Sequence, residues 1–148
     1  MEQGTPTPGS LPRWPTGFPS SALEDYADAR LDLNALLIRH PAATFYMLVN
    51  GSAMEHDGIR TGDIVVVDRS IEARPGHVII ATLDGQLVIR RLVGDGDQRA
   101  LVTSRATDAP VVLTEDLSVT VWGVVTWVIR PLLAPFPHAL WEAPPPHE

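Results

Sequence analysis

FYMLVNGSAMEHDGI, residues 45–59, decides how the rest of the chain is read. A strand-like apolar run stops at Asn50-Gly51-Ser52, three residues suited to a sharp turn, and the turn is followed by Ala53 and Met54. On either side the same alternation recurs. Ala43 to Val49, Ile64 to Asp68, Val78 to Leu83, Gln86 to Leu92, Ala100 to Thr103 and Ser118 to Ile129 are short runs rich in Val, Ile, Thr and aromatics, and predict strands. Asp84-Gly85 separates two of them and predicts a type I′ hairpin, whose two central residues need positive φ. Gly58 to Asp63 and Arg74-Pro75-Gly76 predict further turns. Upstream, Leu33, Leu36 and Leu37 fall near helical spacing within Leu31 to His40, before Pro41, and predict one short helix.

The prolines set the organisation. Five of the 14 lie in residues 1–22 and six in 131–146. Proline removes a ladder donor and biases its predecessor to extended backbone, so both ends are expected to be extended arms. The expectation is a flexible N-terminal arm over 1–24, a mostly β domain of antiparallel strands over 25–130, and a Pro-rich tail over 131–148.

Composition excludes several chemistries. With 148 residues and 45% apolar composition, the chain has the size of one domain with a real core. A net charge of −7 argues against holding a nucleic-acid backbone directly, since that needs clustered cations. There is no cysteine, hence no disulfide, thiolate metal site or cysteine nucleophile. No apolar run approaches the ~18 residues of a membrane span, and the N-terminus does not read as a signal peptide. A soluble, cytoplasmic protein without cofactor or metal is expected. All eleven basic residues are arginine, and the chain contains no lysine.

Four blocks, Phe45 to Met54, Gly58 to Asp68, Gly76 to Leu92 and Val121 to Val125, resemble in order and spacing the peptidase domain shared by LexA, UmuD and related phage repressors. Gly17-Phe18-Pro19-Ser20, Asp25-Tyr26 and Leu31 to Pro41 resemble UmuD in particular. The resemblance implies a compact LexA/UmuD-type fold and a DNA-damage (SOS) role. Such proteins dimerise, meet the RecA filament, cut off their own N-terminal arm, and join a Y-family translesion polymerase. It also implies a cut at Thr16-Gly17 and a Ser–Lys dyad, in which a neutral lysine is general base for the serine. The family's Gly-Asp-Ser-Met falls here on Gly51-Ser52-Ala53-Met54, and its lysine on Arg90 in Val88 to Leu92.

Both dyad positions are therefore substituted. The methyl group of Ala53 cannot attack a carbonyl, and a guanidinium with a pKa above ~12 does not surrender its proton. A lysine-free chain offers no substitute base, in itself or in a second copy. Ser52 is the alternative nucleophile, but in an extended segment a one-residue slip aims it to the face opposite Ala53. An engineered serine-to-alanine change accounts for Ala53 and leaves Arg90 and the missing lysines unexplained, so natural loss is the simpler account. Thr16 agrees, since a β-branched residue suits the narrow position before the cut less well.

Other residues take plainer readings. His56 and Asp57 form a solvated turn, and His77 is a strand-start histidine without the ligand spacing of a metal site. Arg90-Arg91 reads as a solvated strand end, with an anion contact as the alternative. Arg90 itself is expected to leave the cleft for water or to pair with an acid. Trp122 and Trp127 are expected on opposite faces of a strand, at least one in the core or a dimer interface, core being the simpler reading. The stretch Leu132 to Trp141 suits a peptide docked by a polymerase or sliding clamp, or a plain extension.

The expectation is thus a pseudo-peptidase: an accessory or regulatory subunit of a Y-family polymerase, dimeric with itself or with an active UmuD homologue. The alternatives are an active self-cleaving serine peptidase stimulated by the RecA filament, and a decoy that heterodimerises with LexA or UmuD. Only 16 residues precede the cut position, too few for the helix-turn-helix domain of a LexA-like repressor.

Overall fold

Ile64 to Asp68 is the most deeply buried segment, with all five residues inside. Four consecutive β-branched residues, Ile64 to Val67, form a strand that both faces of a sheet can cover. The structure, a computed structural model, describes residues 30–133. Residues 30–39 and the segment from His40 onward are separate units. In the first, α1 (Leu33–Leu37) is capped by Asp32, whose carboxylate accepts from the Ala35 amide at 3.2 Å.

The second unit holds seven strands: β1 (Thr44–Leu48), β2 (Ile64–Asp68), β3 (Val78–Leu83), β4 (Gln86–Asp95), β5 (Gln98–Val102), β6 (Val111–Val112) and β7 (Val119–Ile129). They form one sheet in the order β1-β2-β7-β3-β4-β5-β6, with every neighbouring pair antiparallel. Among the described residues, the architecture is the expected mostly β one with a single short α-helix. Asp84 and Gly85 both have positive φ, 49° and 80°, as the hairpin turn requires. Two features exceed the sequence reading. The strand expected to end at Leu92 runs on to Asp95 and turns back through Gly96 and Asp97, and the two-residue β6 carried no readable pattern.

Successive side chains of a strand point to opposite faces, and the core divides accordingly. Val65, Val67 and Ile80 pack with Met54, Ile59 and Val49 on one side, while Ile79, Ala81, Leu92, Leu101 and Val124 pack on the other. The first of these clusters underlies Ala53. The long β7 threads between β2 and β3 with two register irregularities, one against Val66/Val67 and one against Ile80/Ala81.

The core placement of a tryptophan needs correcting, while the dimer-interface alternative is untouched by a single chain. Trp122 and Trp127 are each 41% exposed, and the inward positions of β7 go to Gly123 and Val124. Trp122 instead donates from its indole to the Thr82 hydroxyl at 2.6 Å, with the Arg69 guanidinium 5.5 Å from its ring centroid.

Two buried acids tie the sheet ends. Asp63 accepts from Arg130 Nε at 2.7 Å and Nη2 at 2.6 Å, and from the Arg60 amide at 2.7 Å. The Arg130 hydrogen bond is the main reason its carboxyl titrates below the usual range, against the opposing pull of burial. Asp68 accepts from Ser70 Oγ at 2.6 Å and lies 2.6 Å from His40 Nδ1. Burial would raise its pKa, but the hydrogen bonds of Ser70 and His40 outweigh burial and hold it low.

Candidate functional site

The turn after β1 is held by backbone hydrogen bonds and by side chains from neighbouring segments. The Val49 amide donates to Asp63 O at 2.8 Å and the Gly62 amide to Val49 O at 2.9 Å, which zips the end of β1 to the approach of β2. Thr61 Oγ1 then accepts from the Gly51 amide and donates to Gly51 O, both at 3.0 Å. Gly51 has φ 123°, a conformation rare for other residues, which explains a glycine at this bend. Met54, 1% exposed, anchors the far side, and its carbonyl accepts from the Asp57 and Ile59 amides at 3.1 Å. Residues 55–57 form a single 3₁₀ turn between them.

Ala53 is fixed by a segment far away in sequence. Its carbonyl accepts from the Ser104 amide at 2.8 Å and from Ser104 Oγ at 3.1 Å, and the same hydroxyl accepts from the His56 amide at 3.0 Å. Next to it, Arg105 donates to the Ser52 hydroxyl. Ser104, Arg105 and Asp108 lie in the loop between β5 and β6. Some fifty residues of intervening chain, with no motif around them, left nothing to connect them to the Asn50-Gly51-Ser52 turn.

Turn and sheet together enclose a cleft of about 470 Å³, whose lining includes Ser52, Ala53, Met47, Val49, Ile89 and Arg90. The fold therefore brings positions 53 and 90 to one cavity, 37 residues apart in sequence. Arg90 is half-buried there and donates from Nη1 to the carbonyl of its own neighbour Ile89 at 2.7 Å. Burial lowers its pKa, and the charge of Asp108 partly opposes this. Among the described residues no carboxylate stands within ion-pair distance of Arg90. The expected close acid partner is thus not found: Arg90 stays half-buried, with a backbone carbonyl as its hydrogen-bond acceptor and the charge of Asp108 acting on it from beyond ion-pair distance.

Three other readings change. Ser52 is not aimed away from Ala53. Residues 51–54 form bends and turns, so strand alternation does not apply, and both residues line the cleft. The Ser52 partner is a guanidinium, which accepts no proton. Arg91 is not a free solvated arginine, nor is Asp57 merely part of a solvated turn. Arg91 Nη2 pairs with Asp57 at 3.1 Å, and its Nη1 reaches Gly76 O at 2.6 Å. His77 stands immediately before β3, where its Nδ1 accepts from the Arg74 amide at 3.1 Å. Thr16 and Gly17 lie outside the described residues, as does most of the stretch Leu132 to Trp141. Among the described residues, no helix is long and apolar enough to cross a membrane, and no three His, Cys, Asp or Glu side chains are grouped to hold a metal.

Residues 11–126 match the family described as Peptidase S24-like. The chain belongs to the peptidase S24-like family. Within it, the chain is 37% identical over 118 residues to Protein ImpA of Salmonella typhimurium, covering 80% of this chain and 79% of that one. It is also 37% identical over 121 residues to Protein MucA of Escherichia coli, covering 80% and 81%. LexA repressor 1 of Xanthomonas campestris is 36% identical over 107 residues, 70% of this chain and 53% of its own length. In this member of the peptidase S24-like family, Ala53 and the Arg90 guanidinium line the cleft, and Arg105 donates to the hydroxyl of the lining residue Ser52.

Proposed function

We propose that this chain is a UmuD-like protein of the cytoplasmic DNA-damage response that does not cut itself, and that serves as an accessory or regulatory subunit of a Y-family translesion polymerase. The carrying observation is that Ala53 and Arg90, the positions on which the family's serine and lysine fall, line one cleft. A Ser–Lys peptidase needs a hydroxyl that loses its proton to a neutral amine. A methyl group has no such proton, and an arginine is not deprotonated at physiological pH. Ser52 is no replacement nucleophile, because its partner is itself a permanent cation.

The surrounding framework favours a binding role over decay of the fold. Ser104 still pins the Ala53 carbonyl twice, and Met54 is still buried beneath the turn. The similarity to ImpA and MucA along most of their lengths supports the UmuD-like side of the family. In this reading the arm over 1–24 keeps its Thr16-Gly17 bond, the domain over 25–130 is the binding body, and the dimer forms with itself or with an active homologue.

Affinity-tagged full-length chain, expressed in its native host and recovered after DNA damage, tests this. Co-purification of a Y-family polymerase is the expected result. Recovery of LexA or an active UmuD without polymerase would replace the subunit reading with the decoy.

A further inference from the structure

Arginine partners differ between the cleft and the rest of the sheet. Arg91 and Arg130 each hold an aspartate, Asp57 and Asp63. Arg90 lines the cleft and Arg105 reaches its edge through Ser52, and neither has a carboxylate within ion-pair distance among the described residues. Each guanidinium carries five N–H donors in a planar fork. One donor of Arg90 goes to Ile89 O, and one of Arg105 to Ser52. The acid that acts on Arg90 is Asp108, whose carboxylate accepts from the Thr103 hydroxyl at 2.7 Å. One permanent cation, Arg90, therefore lines a partly apolar cavity, and a second, Arg105, borders it by its hydrogen bond to the lining residue Ser52, in a chain of net charge −7.

We propose that the cleft beside Ala53 is a receptor for an acidic peptide, taking a glutamate or aspartate side chain of a partner protein onto Arg90 and Arg105 and seating the flanking apolar residues against Met47, Val49 and Ile89. It rests on the reading of the cleft as non-cleaving. Charge-assisted, fork-shaped hydrogen bonding is what a guanidinium offers a carboxylate and an ammonium does not. A cavity of about 470 Å³ is far larger than one carboxylate, and its apolar lining calls for side chains around the acid. The stretch around Thr16-Gly17 does not supply the acid, since residues 3–23 contain no Asp or Glu, and the occupant proposed is a segment of a partner protein.

The test titrates the ¹⁵N-labelled full chain with acetyl-Val-Ala-Glu-Ala-Leu-amide and with its Gln counterpart, at a fixed salt of about 0.15 M. Saturable shifts at Gly51 to Met54 and at the Arg90 and Arg105 Nε–H signals are expected. The Glu peptide should bind at least about tenfold tighter than the Gln peptide, and Arg90→Gln or Arg105→Gln should abolish that preference while spectral dispersion is retained. Arg105 is exposed, so Arg105→Gln tests the site even if Arg90→Gln does not fold. Equal binding of the two peptides, or displacement of the Glu peptide by equimolar inorganic phosphate, would overturn the carboxylate site in an intact chain. A fragment beginning at Gly17, seen by intact mass in the same sample, would instead overturn the non-cleaving reading and the receptor role with it.

Discussion

Ser104 holds the Ala53 carbonyl twice, through its amide at 2.8 Å and its hydroxyl at 3.1 Å. The hydroxyl also accepts from the His56 amide at 3.0 Å, so one side chain bridges two points of the turn. Ser104→Ala removes that bridge and leaves the amide bond in place. The expected loss is about 1 kcal/mol, read as a lowered denaturant midpoint with an unchanged slope. An unchanged midpoint would mean that the bridge does not hold the turn.

Placing a serine at 53 and a lysine at 90 tests the proposed loss of the dyad one half at a time. Ala53→Ser alone should leave the chain uncut in the presence of RecA filament, because Arg90 cannot take the serine proton. Arg90→Lys alone lacks a nucleophile. The double variant Ala53→Ser with Arg90→Lys supplies both, and should cut between Thr16 and Gly17 at least ~10³-fold faster than either single change, as dyad members act as a unit. Intact mass over time reads all three. Cleavage by Ala53→Ser alone would show that some other group serves as base.

Acid sensitivity should trace to Asp63. Its folded pKa lies below the unfolded value, through its hydrogen bond with Arg130, so the ionised form contributes stability. That contribution is complete above the unfolded value near ~3.9 and is lost as pH falls through the lower folded value. Asp63→Asn should lower the melting temperature at pH 7 and shrink its further fall between pH 5 and pH 2. Parallel acid profiles for variant and parent would remove Asp63 from this role.

Gly123 marks a close approach. A Cβ there would lie 2.7 Å from Val67 Cγ1 and 3.0 Å from Asp68 O, where β7 runs against β2. Gly123→Ala should cost roughly 2 kcal/mol by overpacking, seen as a lowered midpoint in chemical denaturation. A midpoint within error of the parent would show that β7 yields at this position.

Much of the fold was readable because local signals agreed. The β-branched run at Ile64 to Val67 could only be a buried strand, and Asp84-Gly85 fixed its hairpin through backbone conformation alone. The two-residue β6 escaped because Val111-Val112 is too short for any period, and the extension of β4 to Asp95 escaped because Val93-Gly94-Asp95 reads as a turn. The core reading of the tryptophans failed where β7 carries register irregularities set by its partner strands, which the sequence does not display. At the site, Ala53 and Arg90 stood out only through the resemblance, as the residues on which the family's serine and lysine were expected to fall. Their shared cleft and the Ser104 and Arg105 contacts are products of tertiary pairing between distant segments.

The central claim is that the chain keeps its arm. Purified protein incubated with RecA, single-stranded DNA and an ATP analogue, then weighed intact, addresses it directly. A single species at the full-length mass, under conditions where an active UmuD control is cut, is the predicted result. A fragment beginning at Gly17, in the absence of any other peptidase, would contradict it.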